Sequence, residues 1–348
     1  MPFAAAVSYH PVSAYATGEV IGETIERLQA RPDLAVVAAR PGHAGALEDI
    51  VATVRRLLRP TVLLGAVADG VGAGASLVDD GPALALWLAA AGDGATDGAP
   101  SPARACPPGV GPPGRGSDGV ALTLAEAPIS DPDGHVAGMP GGTRLGGTVR
   151  GPLALDGEVG DRPVGAVLDG ALRPTVAALS DLGPVGQGMV VTDAVGTSLL
   201  TLDGEPALPR LASVVRDHVP AGELTRVAGD LRLGGSAGPT VRVLGTDPAT
   251  GAVVVDEPPA VDRLWVHLRS PEHVAREAGV MLAAAGGGAG ALVLVAPGQR
   301  PVARQPGEDH GWELLPEATL SLLTPQPFFS RDAVPSHRAP AAVVALFP

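Results

Sequence analysis

Two arginines on predicted strands are the side chains best suited to hold a ligand. Arg242 lies on a predicted strand at 239–244, and Arg269 ends another at 264–269. A guanidinium offers two parallel N–H donors that match a carboxylate. If a carboxylate-bearing ligand docks between two domains, one of these arginines is therefore the expected anchor. A surface ion pair is the simpler alternative for each.

Ser180 and Asp203 are the other side chains that could do chemistry. Ser180 precedes an aspartate, but adjacent residues on a strand point to opposite faces, so a loop cap is the simpler role. The sequence has no Gly-x-Ser-x-Gly elbow, which disfavours an α/β-hydrolase. Asp203 stands beside Gly204 and shapes a turn in the simplest interpretation, with ligand contact as the alternative.

Metal and cofactor chemistry have weak support. The eight histidines are scattered, and none forms an i, i+4 pair. Glu308, Asp309 and His310 adjoin one another, but a Pro/Gly-containing loop surrounds them and a solvated loop is favoured over a metal site. Cys106 is the single cysteine, so no internal disulfide can form and a free surface thiol is expected. We predict no cofactor.

A glycine-rich loop at 69–74 follows the third predicted strand. It lacks the Gly-Lys-Ser/Thr of a phosphate-binding loop, and its position does not fit a dinucleotide fingerprint. The loop around Gly70 and a second one around Gly141 could still bind a small anion. They are the basis of a rival hypothesis, an enzyme that acts on a small anionic metabolite.

The apolar pattern predicts the elements that position these residues. Strands at 3–8, 34–39 and 61–67 alternate with helices at 19–30 and 45–58, an order that indicates a mostly parallel sheet. Residues 92–119 are rich in Pro and Gly, keep no apolar period and predict a mobile linker. Further predicted elements are strands at 120–125, 150–155, 252–255, 291–296 and 341–347, a helix at 206–217 and a helix that begins at Pro271.

The middle of the chain carries a series of short motifs: Ser180, Pro184-Val185-Gly186, Val191-Thr192 and the run 202–207, LDGEPA. In these residues it resembles the FIST family, the sensory domains of bacterial signal-transduction proteins. The Gly138–Gly142 turn, Arg242 and Arg269 resemble further family segments. The resemblance implies binding of a small polar ligand, with an amino acid as the candidate. The implied ligand-binding residues are Gly141, Gly142, Ser180, Gly186, Thr192, Asp203, Arg242 and Arg269.

The C-terminal end departs from the family pattern. A Cys-x-Gly-Arg-Gly segment is expected after the strand at 291–296, but the chain has Pro297-Gly298-Gln299-Arg300 there. The family's Gly-Glu pair is also missing near the end. A degenerate scaffold without a ligand is therefore a third hypothesis.

Composition limits the partners. The formal net charge is −13 and lysine is absent, so an acidic surface disfavours nucleic-acid binding. An uncharged window at 279–299 is interrupted by glycines, which favours a helix followed by a buried strand over a membrane span. We expect a cytoplasmic protein without membrane insertion, whose signal leaves through a partner protein.

The sequence thus predicts an α/β fold with mixed, largely parallel sheets in two coupled FIST-like domains. Residues 1–220 form the predicted FIST N-like domain, which includes the 92–119 loop, and residues 221–348 form the predicted FIST C-like domain. The expected function is non-catalytic sensing of a small polar ligand.

Overall fold

The structure, a computed structural model, describes residues 2–74, 76–91, 101–106, 119–128, 142–180, 182–219, 231–236, 240–269, 271–284, 288–296, 315–331, 334–335 and 340–348. The chain forms two compact units. Unit 1 comprises Met1–Ser180 and Ala275–Pro348, and unit 2 comprises Asp181–Val274. Their borders differ from the predicted division into 1–220 and 221–348. That division concerns family domains and stays a prediction.

Strands outnumber helices in the described part of the chain. The α-helices are α1 (Ser13–Leu28), α2 (Leu47–Leu58), α3 (Ala207–His218) and α4 (Pro271–Ala284), and short 3-10 helices span Pro41–Ala46 and Gly170–Leu172. The strands are β1 (Phe3–Ser8), β2 (Leu34–Ala39), β3 (Val62–Val67), β4 (Gly70–Ala73), β5 (Leu84–Ala89), β6 (Ala103–Ala105), β7 (Val120–Glu126), β8 (Thr143–Val149), β9 (Leu153–Leu155), β10 (Glu158–Gly160), β11 (Val164–Leu168), β12 (Thr175–Leu179), β13 (Leu182–Val195), β14 (Ser198–Leu202), β15 (Glu205–Pro206), β16 (Arg232–Gly234), β17 (Thr240–Asp247), β18 (Ala252–Val255), β19 (Arg263–Arg269), β20 (Gly290–Val295), β21 (Thr319–Leu323), β22 (Pro327–Arg331), β23 (Val334–Pro335) and β24 (Ala342–Phe347).

The first sheet of unit 1 has the order β1-β5-β2-β3-β9-β10. Only its β2–β3 pair is parallel, because β5 runs antiparallel between β1 and β2. The prediction of largely parallel sheets is therefore wrong, although the sheets are mixed. A strand that is buried on both faces has a continuous apolar sequence, and such sequences are typical of parallel sheets. Strands β1, β2 and β3 have such sequences, which is why the sequence favoured a parallel arrangement.

Helices α1 and α2 cover one face of this sheet through their apolar stripes. Val20, Ile21, Ile50 and Val54 belong to the same buried cluster as alternate residues of β1, β2, β3 and β5. Helix α1 begins six residues before the predicted start at 19. The first buried residues of α1 are Ala16 and Thr17, and Tyr15 before them is exposed, so the period of large apolar residues does not show this start.

Unit 1 contains two more sheets, with the orders β23-β22-β8-β7-β11-β6 and β12-β24-β20-β21-β4. Apolar residues from all three sheets of unit 1 form one buried cluster. The rings of Phe3, Trp87 and Phe347 pack together inside it, with centroids 5.0–5.7 Å apart. The indole N–H of Trp87 donates to the Ala318 carbonyl at 2.9 Å, so the one polar atom of this ring is satisfied.

Part of the predicted linker at 92–119 belongs to the fold. Strand β6 pairs with β11, and Ala103 in it is fully buried. Arg104 forms a 2.9 Å ion pair with Asp169. Cys106 is half-buried rather than a surface thiol, and burial raises its pKa. The linker prediction is therefore wrong for 101–106, since a three-residue strand is too short to show a period; residues 92–100 and 107–118 lie outside the described part.

The 69–74 loop of the enzyme hypothesis contains strand β4, which pairs with β21. A Cβ atom on Gly72 would lie 1.9 Å from the Ser76 carbonyl oxygen, and one on Gly70 would lie 2.9 Å from Leu323 Cβ. These glycines allow close packing of backbone and side chains. The structure therefore gives Gly70 a packing role. The loop around Gly70 is not the open anion-binding loop that the enzyme hypothesis requires.

Unit 2 is built on a seven-stranded sheet with the order β13-β19-β16-β17-β18-β14-β15. Strand β13 also pairs with β14, so six of the strands close into a ring. A Gly-Pro step such as Gly183-Pro184 predicts a loop, but both residues are part of β13, which has a register shift further on, between Val185 and Met189. Pro184 pairs with His267 of β19, whereas the pairing of β13 with β14 begins only at Val191. A proline is tolerated where a strand is paired along one side, so the Gly-Pro step does not interrupt β13.

The remaining predictions concern membranes and metals. No helix in the described ranges is long and apolar enough to cross a membrane. The window at 279–299 contains the end of α4 and strand β20, as predicted. Gly141 and the cluster at 308–310 lie outside the described residues. Among those described, no group of three His, Cys, Asp or Glu side chains is placed to hold a metal ion.

Candidate ligand-binding site

Residues along β19 alternate between two environments. Leu264 and Val266 are fully buried in the core of unit 2, on the side to which α3 contributes. Arg263, Trp265 and Arg269 occupy the alternate positions and are half-buried or exposed. Because side chains alternate with a period of two, these positions lie on the side of the ring away from that core, which we call the outer side.

Three strands place basic side chains next to one another on the outer side. Arg242 of β17 is directly opposite Arg232 of β16, and Arg232 is directly opposite His267 of β19. Opposed residues project from the same side of a sheet with Cβ atoms roughly 4.5–5.5 Å apart. Arg269 follows His267 by two residues and shares its side. We call Arg242, Arg232, His267 and Arg269 the arginine row.

The charges of Arg232 and Arg242 are not balanced by an ion pair within the part of the chain that the structure describes. Within the described residues, no carboxylate forms an ion pair with either side chain. The carboxylate of Asp256 instead accepts the backbone N–H of Arg242 at 2.8 Å. The Nε of Arg232 is buried and has no hydrogen-bond partner there. Like charges directly opposite on a sheet are destabilising, and an anion bound between them would remove that repulsion.

His267 alternates with apolar neighbours in the sequence, which predicts a half-exposed strand residue, but its side chain is only 4% exposed and that prediction is wrong. Alternation correctly placed it away from the apolar core, but it could not show that this position is covered. Its Nε2 lies 2.8 Å from the Gly235 carbonyl oxygen. Burial lowers the pKa of His267, against the smaller opposing effect of the Gly235 carbonyl. The ring is therefore neutral at pH 7 and adds no third charge to the row.

Asp203 and Thr192 meet at a turn. Asp203 and Gly204 join β14 to β15 with φ values of +54° and +81°, the signature of a type I′ turn. The Asp203 carboxylate accepts the Val190 N–H at 2.8 Å and Arg210 Nε at 3.0 Å. The Thr192 hydroxyl accepts the Gly204 N–H at 3.0 Å. These contacts give both side chains a role in holding the turn.

The other predicted site residues are not members of the arginine row. Gly186 is exposed, with φ +67°, and a Cβ there would meet Val214 of α3 at 3.0 Å. Ser180 belongs to unit 1, where its backbone N–H donates to Glu277 at 3.2 Å. Gly142 also belongs to unit 1, at the start of β8. Gly186 thus has a backbone reason for being glycine.

The structure brings Arg242 and Arg269 to one side of one sheet and joins Thr192 to Asp203. It also adds two residues that the sequence did not single out as part of a site, Arg232 and His267. Strand β16 has three residues, too few for an alternating pattern, so Arg232 had no visible signal. The spacing Arg263-x-Trp265-x-His267-x-Arg269 was visible in the sequence and could have pointed to a polar side of β19.

Comparison with known proteins defines the class. The model of the FIST N domain matches residues 33–205. The uncharacterized protein Rv0628c of Mycobacterium tuberculosis is 30% identical over 289 residues, which cover 70% of this chain and 68% of that protein. The uncharacterized protein Mb0898c of Mycobacterium bovis is 28% identical over 274 residues, which cover 71% of this chain and 70% of that protein.

The chain has a mixed α/β fold and carries a FIST N domain. FIST domains are sensory domains of signal-transduction proteins. The FIST N domain is the family to which this match assigns residues 33–205. The predicted FIST C-like domain at 221–348 lies beyond the matched residues and stays a prediction.

Proposed function

We propose that this protein is a non-catalytic sensor that binds a small carboxylate-bearing ligand, with an amino acid as the first candidate, at the arginine row. The match of residues 33–205 to the FIST N domain supports the sensory role. The proposed signal passes to a partner protein, and the proposed location is the cytoplasm. Neither the partner nor the location bears on the ligand site itself.

The pairing of Arg242 with Arg232 is the observation that carries the proposal. The chain has a net charge of −13, yet two arginines pair directly across neighbouring strands, and among the described residues neither forms an ion pair with a carboxylate. Each guanidinium can hold a carboxylate through two parallel hydrogen bonds. One small anion can therefore satisfy both arginines and relieve their repulsion.

A thermal-shift screen of amino acids, organic acids and nucleotides tests the ligand class. A ligand at a hundredfold excess over its Kd should stabilise the protein by about 2.7 kcal/mol. We expect carboxylates to raise the Tm and uncharged amides of the same compounds to have no effect. Stabilisation by the amides as strongly as by the acids would argue against a guanidinium–carboxylate site.

The variant Arg242→Ala separates binding from folding. Without ligand it should be as stable as the wild type or slightly more so, since a like-charge contact worth about 0.2–1 kcal/mol is removed. With ligand its thermal shift should shrink. The control is Arg216→Ala, an exposed arginine of α3, which should keep the full shift. Turnover of the ligand by the wild type would favour the enzyme hypothesis.

A further inference from the structure

Strands β1 and β2 end at the same edge of the first sheet of unit 1, because both run antiparallel to β5 between them. Helix α1 follows β1 and begins at Ser13. The 3-10 helix Pro41–Ala46 follows β2 and carries His43. The Ser13 Oγ lies 2.9 Å from the His43 Nδ1. A hydroxyl and an imidazole at hydrogen-bond distance are the first requirement for an activated serine nucleophile.

The start of α1 offers donors for a developing oxyanion. No side chain caps this end, and the Ala16 N–H makes the first helical bond, to Val12 O at 3.0 Å. The N–H groups of Ser13, Ala14 and Tyr15 therefore precede the helical hydrogen-bond ladder. They lie at the positive end of the helix dipole, where negative charge is favoured. In hydrolases, the N–H that follows the nucleophile is one of the oxyanion donors.

The surface beside Ser13 is aromatic and open. Aromatic residues make up 3% of the chain, which has two tyrosines. Both flank this position, with Tyr9 54% and Tyr15 66% exposed, and Val12 between them is 49% exposed. Ser13 itself is half-buried. An apolar group attached to a reacting carbonyl thus has side chains to pack against.

We propose that Ser13 is a nucleophile toward activated acyl esters, with His43 as its general base. The Ser13 Oγ forms a bond to the acyl carbon as its proton moves to His43 Nδ1. The carbonyl electrons move onto the oxygen beside the first N–H groups of α1. When the carbonyl reforms, the bond to the leaving alcohol breaks and that alcohol takes the proton from His43. Water later hydrolyses the acyl-serine to the free serine and a carboxylic acid.

The environment of His43 fits a base but not an efficient catalyst. The side chain is 1% exposed, and burial lowers its pKa, so the ring is neutral at pH 7 and able to accept a proton. Its Nε2 is buried and has no hydrogen-bond partner within the described part of the chain. No carboxylate there stabilises the imidazolium as in a catalytic triad. Acylation should therefore be slow, and deacylation slower, so one acyl group accumulates per chain.

This inference goes beyond the proposed function, in which 'non-catalytic' refers to the ligand of the arginine row, because it assigns a separate activity to a second site. Ser13 lies outside residues 33–205, which match the family model, and it belongs to unit 1, whereas the arginine row belongs to unit 2. Loss of one activity would leave the other untouched.

Intact mass spectrometry after incubation with p-nitrophenyl acetate tests the proposal. The chain has no lysine to be acylated in a side reaction. We expect one acetyl group per chain, located at Ser13 by peptide mapping, and a matching burst of nitrophenol. Ser13→Ala should abolish the burst, and His43→Gln should slow it at least tenfold. Ser198→Ala, at a half-buried serine of β14, should leave it unchanged.

A thiol in place of the hydroxyl gives a second readout that does not depend on the choice of ester. In the variant Ser13→Cys with Cys106→Ser, the new thiol should react with iodoacetamide at neutral pH at least tenfold faster than in the same variant with His43→Gln, because imidazole promotes thiolate formation. Folding of each variant is checked by circular dichroism. Acetyl groups on residues other than Ser13, or equal thiol rates with and without His43, would overturn the proposal.

Discussion

The carboxylate of Asp203 connects three parts of unit 2 at one turn. It accepts the N–H of Val190 from β13, pairs with Arg210 from α3, and belongs to the turn between β14 and β15. Its φ of +54° is a left-handed conformation that Asp and Asn tolerate better than most residues. The Val190 hydrogen bond, followed by Arg210, lowers the pKa of this carboxyl group.

Replacing Asp203 should therefore cost stability. Asp203→Ala leaves the Val190 N–H without its acceptor and places a Cβ residue with no polar side chain at positive φ. We expect a loss of about 2 kcal/mol in urea unfolding, allowing for the partial exposure of the ion pair. Asp203→Asn keeps an acceptor and tolerates the conformation, so it should lose less than half as much. Equal stability losses in Asp203→Ala and Asp203→Asn would show that the negative charge of Asp203 matters, and not its hydrogen bond or backbone conformation.

The lowered pKa of Asp203 predicts how its contribution to stability changes with pH. A lowered pKa means that the carboxylate stabilises the fold above its ordinary value of 3.8, and that this contribution disappears as pH falls through the lowered value. The stability difference between the wild type and Asp203→Asn should therefore narrow below pH 3.8. A difference that widens on acidification would contradict the assignment.

At the scale of elements, the parallel pair β7–β8 depends on a glycine. A Cβ on Gly146 would lie 2.0 Å from the Thr123 carbonyl oxygen and 2.5 Å from the Phe328 ring. Gly146→Ala should destabilise the protein by on the order of 3 kcal/mol, because backbone or a packed ring must move. The matched control is Gly160→Ala on β10, where a Cβ meets nothing within 4 Å. Differential scanning calorimetry of both variants checks this, and equal Tm values would contradict it.

Several elements followed from the sequence and others could not. The strands β1, β2 and β3 are continuous apolar runs and the helix α2 has a regular apolar period, and the structure confirms all four elements. Strand β8 was missed at 143–149 because Gly146 and Gly147 argue against a strand unless the close approach of Phe328 is known. The place of β5 between β1 and β2 depends on pairing across the chain, which no local period encodes.

At the scale of the whole molecule, two buried histidines make stability depend on pH. Burial is the main cause of the lowered pKa of both His43 and His267. The unfolded chain therefore binds protons more readily, so stability is present above the ordinary value of 6.5 and is lost as pH falls through the lowered values. The slope cannot exceed about 1.4 kcal/mol per pH unit for each histidine. Urea titrations below pH 6.5 should show a shallower slope for His43→Gln with His267→Gln than for the wild type.

The candidate site, like the fold, could be predicted only in part, because strand pairing between distant parts of the chain has no local sequence signal. The types of Arg242 and Arg269 suggested a carboxylate, but their shared side of the ring depends on the pairing of β16 between β17 and β19. Arg232 becomes part of the site only through that pairing. The turn residue Asp203 was correctly suspected of a structural role, since the Asp-Gly pair is itself a turn signal.

Calorimetric titration of Arg242→Ala with the carboxylate found in the screen tests the central claim most directly. The lost charge-assisted hydrogen bonds are worth roughly 1.5–3 kcal/mol, which corresponds to a Kd raised by one to two decades. Arg269→Ala should weaken binding in the same direction, and Arg216→Ala should bind as the wild type does. Wild-type affinity in both Arg242→Ala and Arg269→Ala, with the ligand still bound at one site per chain, would contradict the account.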